Sequence, residues 1–133
     1  MATLEDPRVV ELLEKPYYAD ISTHNADGSI HSTVVWVDLE NGVPAVNSAV
    51  GRVWPTNLER DPRTTLLISN PTDPYEFLEV RGTAEGTTDG ADEQIDRLAK
   101  KYLGVDSYPA RRAGEQRIKF LIKPDRVRYV KSS

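Results

Sequence analysis

Gly51-Arg52-Val53-Trp54-Pro55-Thr56-Asn57-Leu58-Glu59-Arg60-Asp61-Pro62-Arg63 lies between two apolar, strand-like runs. Pro55 suits the first turn of a helix, and Pro62 ends one. The spacing predicts a very short helix fed by a strand. Free N–H groups in the first turn, the helix dipole and the Arg52 guanidinium would all favour negative charge there. The segment reads either as a seat for an anion or as an ordinary connector with solvated arginines.

Upstream, Asp6-Pro7 combines an N-cap with a proline at the first helical position. Val9, Val10, Leu12 and Leu13 form an apolar stripe that Lys15-Pro16 ends, which predicts a helix over 6–15. Tyr17–His24 alternates loosely and runs into the turn signal Asn25-Ala26-Asp27-Gly28. Ile30–Asp38, with Val34-Val35-Trp36-Val37 inside it, has strong strand propensity. Glu40-Asn41-Gly42 is a second tight turn. Val43–Ser48 is a third strand, where Pro44 marks an edge or a strand start. The three read as an antiparallel meander.

Downstream, Thr64–Ser69 is a β-branched strand and 70–74 a loop. Phe77–Thr87 is a long strand with Gly82 at a bulge or a close approach. Over 91–103, Ala91, Ile95, Leu98, Ala99 and Tyr102 share one helical face. Glu93/Arg97 and Asp96/Lys100 are i,i+4 pairs, and Gly104 stops the helix. After a loop holding Pro109, Arg111 and Arg112, strands Arg117–Ile122 and Val127–Val130 flank a turn at Lys123-Pro124-Asp125. Six or seven strands in hairpin order with two substantial helices predict a small, mainly β barrel rather than a βαβ fold.

The 133 residues suit one domain, 1–133, with a core that needs no staples. There is no cysteine, hence no disulfide and no thiolate chemistry. The net charge of −4 conceals an asymmetry. Residues 1–96 carry 6 Lys/Arg against 18 Asp/Glu, whereas residues 97–133 carry 11 against 3. The basic quarter either meets a polyanionic ligand or packs against the acidic part of the same fold or dimer. An acidic domain without a binding motif argues against nucleic acid. No run approaches a membrane span, and the N-terminus lacks the pattern of a signal peptide. A cytoplasmic protein is expected.

Hydrolytic and metal arrangements are weak. Of the two histidines, His24 and His31, a two-residue loop would pair them across the hairpin. A four-residue turn with Gly28 left-handed would separate them. Neither register supplies a third ligand at zinc spacing, so no metal site is expected. The glycine-rich dinucleotide fingerprint and the P-loop are missing. Redox chemistry carried by a bound cofactor is what remains.

Asn57-Leu58-Glu59-Arg60-Asp61-Pro62-Arg63 after a strand, followed by Thr64-Thr65-Leu66-Leu67-Ile68, resembles the cofactor segment of pyridoxamine-phosphate-oxidase-like, FMN-binding split β-barrel proteins. Within them it is most similar to the actinobacterial-type deazaflavin (coenzyme F420)-dependent oxidoreductases. Val34-Val35-Trp36-Val37, Pro74-Tyr75-Glu76, Val80–Glu85, Gly90–Asp96, Leu98–Gly104 and Gly114–Arg117 match as well. The resemblance spans roughly residues 4–130, and it rests on the order and spacing of these pieces.

The resemblance implies a six-stranded antiparallel split β-barrel with short helices, in a homodimer where each cofactor lies in a groove at the dimer interface. It implies coenzyme F420 as cofactor, with FMN the alternative. The expected reaction is hydride transfer to a small unsaturated organic substrate. A non-catalytic cofactor-binding protein is a further alternative. Carried over by position, Ser32, Thr33 and Val34 would line the ring, with Asn47 and Ser48 at the end of the third strand. Arg52, Val53, Trp54, Thr56 and Asn57 would form the phosphate side, where Arg52 suits phosphate geometry. Many relatives carry a cation where this chain has Trp54 and Thr56. Trp54 would stack on a ring or pack into an interface. Tyr75, Tyr102, Tyr108 and Tyr129 are candidate pocket aromatics. Arg81 and Arg117 either reach the groove or form surface ion pairs. Arg111, Arg112 and Lys119 are the expected partners of an anionic cofactor tail. No catalytic side chain is assigned; a backbone N–H, Ser32 or a tyrosine would be the proton donor.

Overall fold

In the computed structural model, which describes residues 2–132, seven runs form strands. They are β1 (Ala19–His24), β2 (Ile30–Val35), β3 (Asp38–Glu40), β4 (Val43–Ala49), β5 (Arg63–Asn70), β6 (Asp73–Thr87) and β7 (Arg117–Lys131). Three helices accompany them: α1 (Pro7–Glu14), α2 (Val53–Arg60) and α3 (Ala91–Leu103). All strand pairs are antiparallel, in the order β2-β1-β5-β6-β7-β4-β3.

The two edge strands, β2 and β3, are joined in the chain by Trp36-Val37 alone. A link that short curls the sheet until its ends approach, giving a barrel that stays open at this junction. The expected Ile30–Asp38 strand is therefore two strands. The expected meander is also corrected, because β4 pairs with β7 and not with β2. The cause is at Val37. Its N–H donates to the Tyr102 hydroxyl at 3.1 Å, and its carbonyl accepts from Lys101 Nζ at 2.6 Å. Side chains of α3 take the place of a strand partner, and the ladder can break there without orphaned backbone groups.

A second correction lies in β7. No turn forms at Lys123-Pro124-Asp125; one 15-residue strand runs through it. Arg81 opposes Arg126 while Gly82 opposes Pro124, so Asp125 is an extra residue in a bulge. Pro124 has no N–H to lose there. A Cβ on Gly82 would lie 2.1 Å from the Lys123 carbonyl oxygen, so only glycine allows this approach. One division and one fusion leave seven strands where the resemblance implied six.

The helices form as the sequence indicates. Asp6 caps α1 by accepting from the Arg8 N–H at 2.9 Å, and Val9, Leu12 and Leu13 are buried. Pro55 sits in the first turn of α2, which stops at Asp61 ahead of Pro62. Gly104 ends α3 in the left-handed conformation. The expected i,i+4 pairs on α3 do not form. Arg97 instead reaches Glu40 at 2.7 Å, and Asp96 receives Arg111 at 2.7 Å. The barrel interior is apolar, with Ile21, Leu66, Ile68, Leu78, Val80 and Ile122 fully buried.

The hairpin after β1 takes the longer turn, with Gly28 at φ +89°. Thr23 opposes His31 and His24 opposes Ile30, so the two histidines fall on opposite faces. Among the described residues, no His, Cys, Asp or Glu group of three gathers as a metal set, and no helix is long and apolar enough to cross a membrane.

Candidate cofactor groove

A groove of about 520 Å³ opens where β2, β4, the start of α2, α3 and the loop after α3 meet. Its size suits a cofactor headgroup. The split between β2 and β3 is what exposes it. No carboxylate, imidazole or amine lines it; its charged groups are Arg52 and Arg117.

A continuous line of contacts runs along it. The Tyr18, Tyr102 and Trp36 rings stack, with centroids 5.7 Å and 5.2 Å apart. Trp36 meets Tyr108 edge-on at 6.0 Å, and the Arg117 guanidinium lies 5.1 Å from the Tyr108 centroid. Arg117 Nη1 donates to Glu115 Oε1 at 2.8 Å, and Arg52 Nη2 reaches Glu115 Oε2 at 3.3 Å. The groove is thus aromatic at one end and cationic at the other.

Each wall is held from behind. The Tyr102 hydroxyl donates to the Tyr17 carbonyl at 2.6 Å, and burial pushes its pKa up to about 12. It therefore stays a neutral donor that fixes the ring behind Trp36. Asn47 uses its whole amide. It donates to the Ala91 carbonyl at 2.8 Å and to Gln94 Oε1 at 2.9 Å, and it accepts from Arg117 Nε at 2.9 Å. The Tyr108 N–H donates to Asp96 Oδ1 at 2.9 Å, the same carboxylate that takes Arg111, so the loop is strapped to α3. The Arg117 hydrogen bond holds the Glu115 carboxyl below its usual range.

Six of the ten sequence-derived site residues line this groove: Thr33, Val34, Asn47, Ser48, Arg52 and Trp54. The other four do not. The Ser32 hydroxyl faces Ser22 on the outer sheet surface at 3.1 Å. Val53 projects into solvent. The Thr56 hydroxyl donates back to the Arg52 carbonyl at 2.7 Å. Asn57 is buried beneath the β1 hairpin, donating to Thr23 Oγ1 and Asn25 Oδ1. Trp54 packs on Phe120 with centroids 5.6 Å apart, so its ring is partly core.

Of the candidate aromatics, Tyr108 lines the groove and Tyr102 supports it, whereas Tyr75 is exposed elsewhere and Tyr129 bonds Glu76. Arg117 reaches the groove; Arg81 pairs with Glu79 instead. Arg111 and Lys119 are taken by internal carboxylates, Lys119 by Glu40 at 2.6 Å, which argues against them as tail partners. Much of the basic quarter thus meets the acidic part of the same fold. Tyr18 and Trp36 were missed as lining residues. The aromatic content of 17–18 and 36 was visible, but their meeting depends on the break at Val37.

The model of the family described as Pyridoxamine 5'-phosphate oxidase matches residues 6–131. The chain belongs to that family. No curated protein matches the sequence. Among solved structures, one named "F420 Reductase" is 23% identical with a TM-score of 0.77, covering 89% of this chain and 94% of that one. A conserved hypothetical protein from Mycobacterium tuberculosis is 18% identical at TM-score 0.77, covering 97% and 86%. A putative pyridoxamine 5'-phosphate oxidase from Listeria innocua is 20% identical at TM-score 0.71, covering 98% and 100%. At these identities the likeness is one of fold: the split barrel of the pyridoxamine 5'-phosphate oxidase family, which binds flavin-type cofactors.

Proposed function

We propose that this protein is an oxidoreductase that uses coenzyme F420, acting as a homodimer on a small unsaturated organic substrate. The observation that carries the reading is the polarity of the groove. An aromatic wall suits a flat ring, and Arg52, 48% exposed, suits an anionic linker. These residues fit a deazaflavin, whose charge is carried away from its ring.

When bound, the reduced deazaflavin supplies a hydride to an electron-poor carbon of the substrate, and a proton completes the reduction. The chain's own contributions are binding and orientation. Thr33 and Val34 offer the edge of β2 to the ring. Trp36, backed by Tyr102, offers an apolar face that excludes water. Arg52 anchors the anionic end. No side-chain nucleophile is required, and the lining hydroxyls of Thr33 and Ser48 have no carboxylate, imidazole or amine beside them in the lining to activate them. Tyr18 and Val34, 61% and 62% exposed at the rim, are apolar surface that a second copy would cover.

Titration of the purified protein with coenzyme F420 and with FMN, followed by cofactor fluorescence, tests the reading. Saturable F420 binding is expected, weakened about tenfold or more in Arg52→Ala, the loss of one charge-assisted contact. Tighter binding of FMN than of F420 would replace it with a flavin enzyme of the same fold.

A further inference from the structure

Arg52 and Arg117 suggest a doubly cationic site, but Glu115 changes the count. Its side chain is 7% exposed and lies between the two guanidinium groups, at 2.8 Å from Arg117 and 3.3 Å from Arg52. Arg117, only 3% exposed, is committed: Glu115, Asn47 and the Tyr108 ring occupy it. Arg52 touches Glu115 through one nitrogen only, and its half-exposed side chain lines the groove. Two cations and one carboxylate leave a single net positive charge. Arg112 is the other cation near Glu115, and its side chain stands in solvent.

We propose that Glu115 sets the specificity of the groove for a singly charged phosphate, a phosphodiester, and against a doubly charged phosphomonoester. A diester brings one negative charge and leaves the site neutral. A monoester above its second ionisation, near pH 6, brings close to two. The second charge would find no further cation in the groove lining, since Arg112 is screened by solvent, and it would be opposed by Glu115 behind the two arginines. The inference rests on the cofactor reading above and deepens it. It supplies a physical reason, in one residue, for taking a cofactor with an internal phosphodiester rather than FMN.

A matched pair of flavins isolates the charge: FMN and riboflavin 4′,5′-cyclic phosphate share the same ring and differ by one negative charge at pH 7.5. Quenching of flavin fluorescence measures each dissociation constant in wild type and in Glu115→Gln, which keeps the acceptor for Arg117. In wild type the cyclic diester is expected to bind about tenfold tighter than FMN, the size of one unit-charge interaction about 10 Å away at an effective dielectric near 20. Lowering the pH from 7.5 to 5.5 protonates the FMN phosphate and is expected to close that gap while leaving the diester unchanged. In Glu115→Gln, FMN gains more than the diester, and the preference narrows or inverts. An unchanged thermal midpoint confirms that the variant is folded; if the midpoint falls, the wild-type pH series still decides the matter. FMN binding equal to or tighter than the diester in wild type overturns the role of Glu115 while leaving the groove as a cofactor site. Failure of both flavins and of F420 to bind overturns the cofactor reading, and the charge selection with it.

Discussion

The barrel interior and the cluster behind the groove are both buried, and they are built on opposite principles. Between β1, β5, β6 and β7 the interior is filled by Ile21, Leu66, Ile68, Leu78 and Ile122, which touch because their strands are paired. Behind the groove, Asn47, Gln94, Arg117, Glu115 and Asp38 form a hydrogen-bonded cluster from β3, β4, α3, the start of β7 and the segment before it, and Lys101 of α3 holds the Leu13 and Val37 carbonyls nearby. The first region is held by area removed from water and tolerates small shifts. The second is held by hydrogen bonds, each with a required partner, and it leaves no buried side-chain polar atom unpaired among the described residues. Stability comes chiefly from the first, and the geometry of the site from the second.

The largest effect belongs to the apolar region. Leu78→Ala removes a fully buried side chain and is expected to lower the unfolding free energy by about 3 kcal/mol, measured by urea denaturation. Cofactor affinity extrapolated to the folded fraction should hardly change. Asn47→Ala should do the opposite. It cuts three hydrogen bonds, one from the buried Arg117, for about 2 kcal/mol of stability, and it leaves the Arg117 Nε without its acceptor and the groove wall without its tie to α3, which should weaken ligand binding disproportionately. If the two substitutions moved stability and affinity in the same proportion, the division between the regions would fail.

The smallest effect sharpens the contrast through pH. Burial pushes the Lys101 ammonium down to about 8, against an ordinary value of about 10.4 for an exposed lysine. Between these values the unfolded chain holds more protons at this group than the folded one. The stability of wild type relative to Lys101→Met should therefore rise with pH across this window and be flat below it. A difference that falls with pH would mean that the carbonyls of Leu13 and Val37 hold the charged form more strongly than burial opposes it.

Local chemistry made the helices legible. Asp6-Pro7, Pro55 with Pro62, and Gly104 each act within a few residues of the boundary they set. The strand pattern was legible as alternation, but two of its interruptions were not. The break at Val37 requires Tyr102 and Lys101, more than sixty positions away, and the uninterrupted run of β7 through Pro124 requires Gly82 as its neighbour. The site divides the same way. Arg52 was readable from its place at the start of the short helix, while Thr33 and Val34 came only with the family resemblance. The position of Glu115 between two arginines was not, because it follows from β4 lying against β7. Asn57 misled for a related reason: it closes the β1 turn from below, and nothing in the helix sequence separates that role from binding.

The two-residue junction at Trp36-Val37 also fixes the order in which the molecule can be assembled. It sends the chain from one end of the sheet to the other before the middle of that sheet exists. β4 pairs with β7, the last strand to be synthesised, so Ala45 waits for Leu121. Closing a loop of that length comes at an entropic cost before any contact offsets it, which places the barrel among slow, high-contact-order folds. Until β7 arrives, β4 is an apolar strand without a neighbour on that side, and the groove does not exist. During synthesis the cofactor therefore has nothing to bind until β7 has been made.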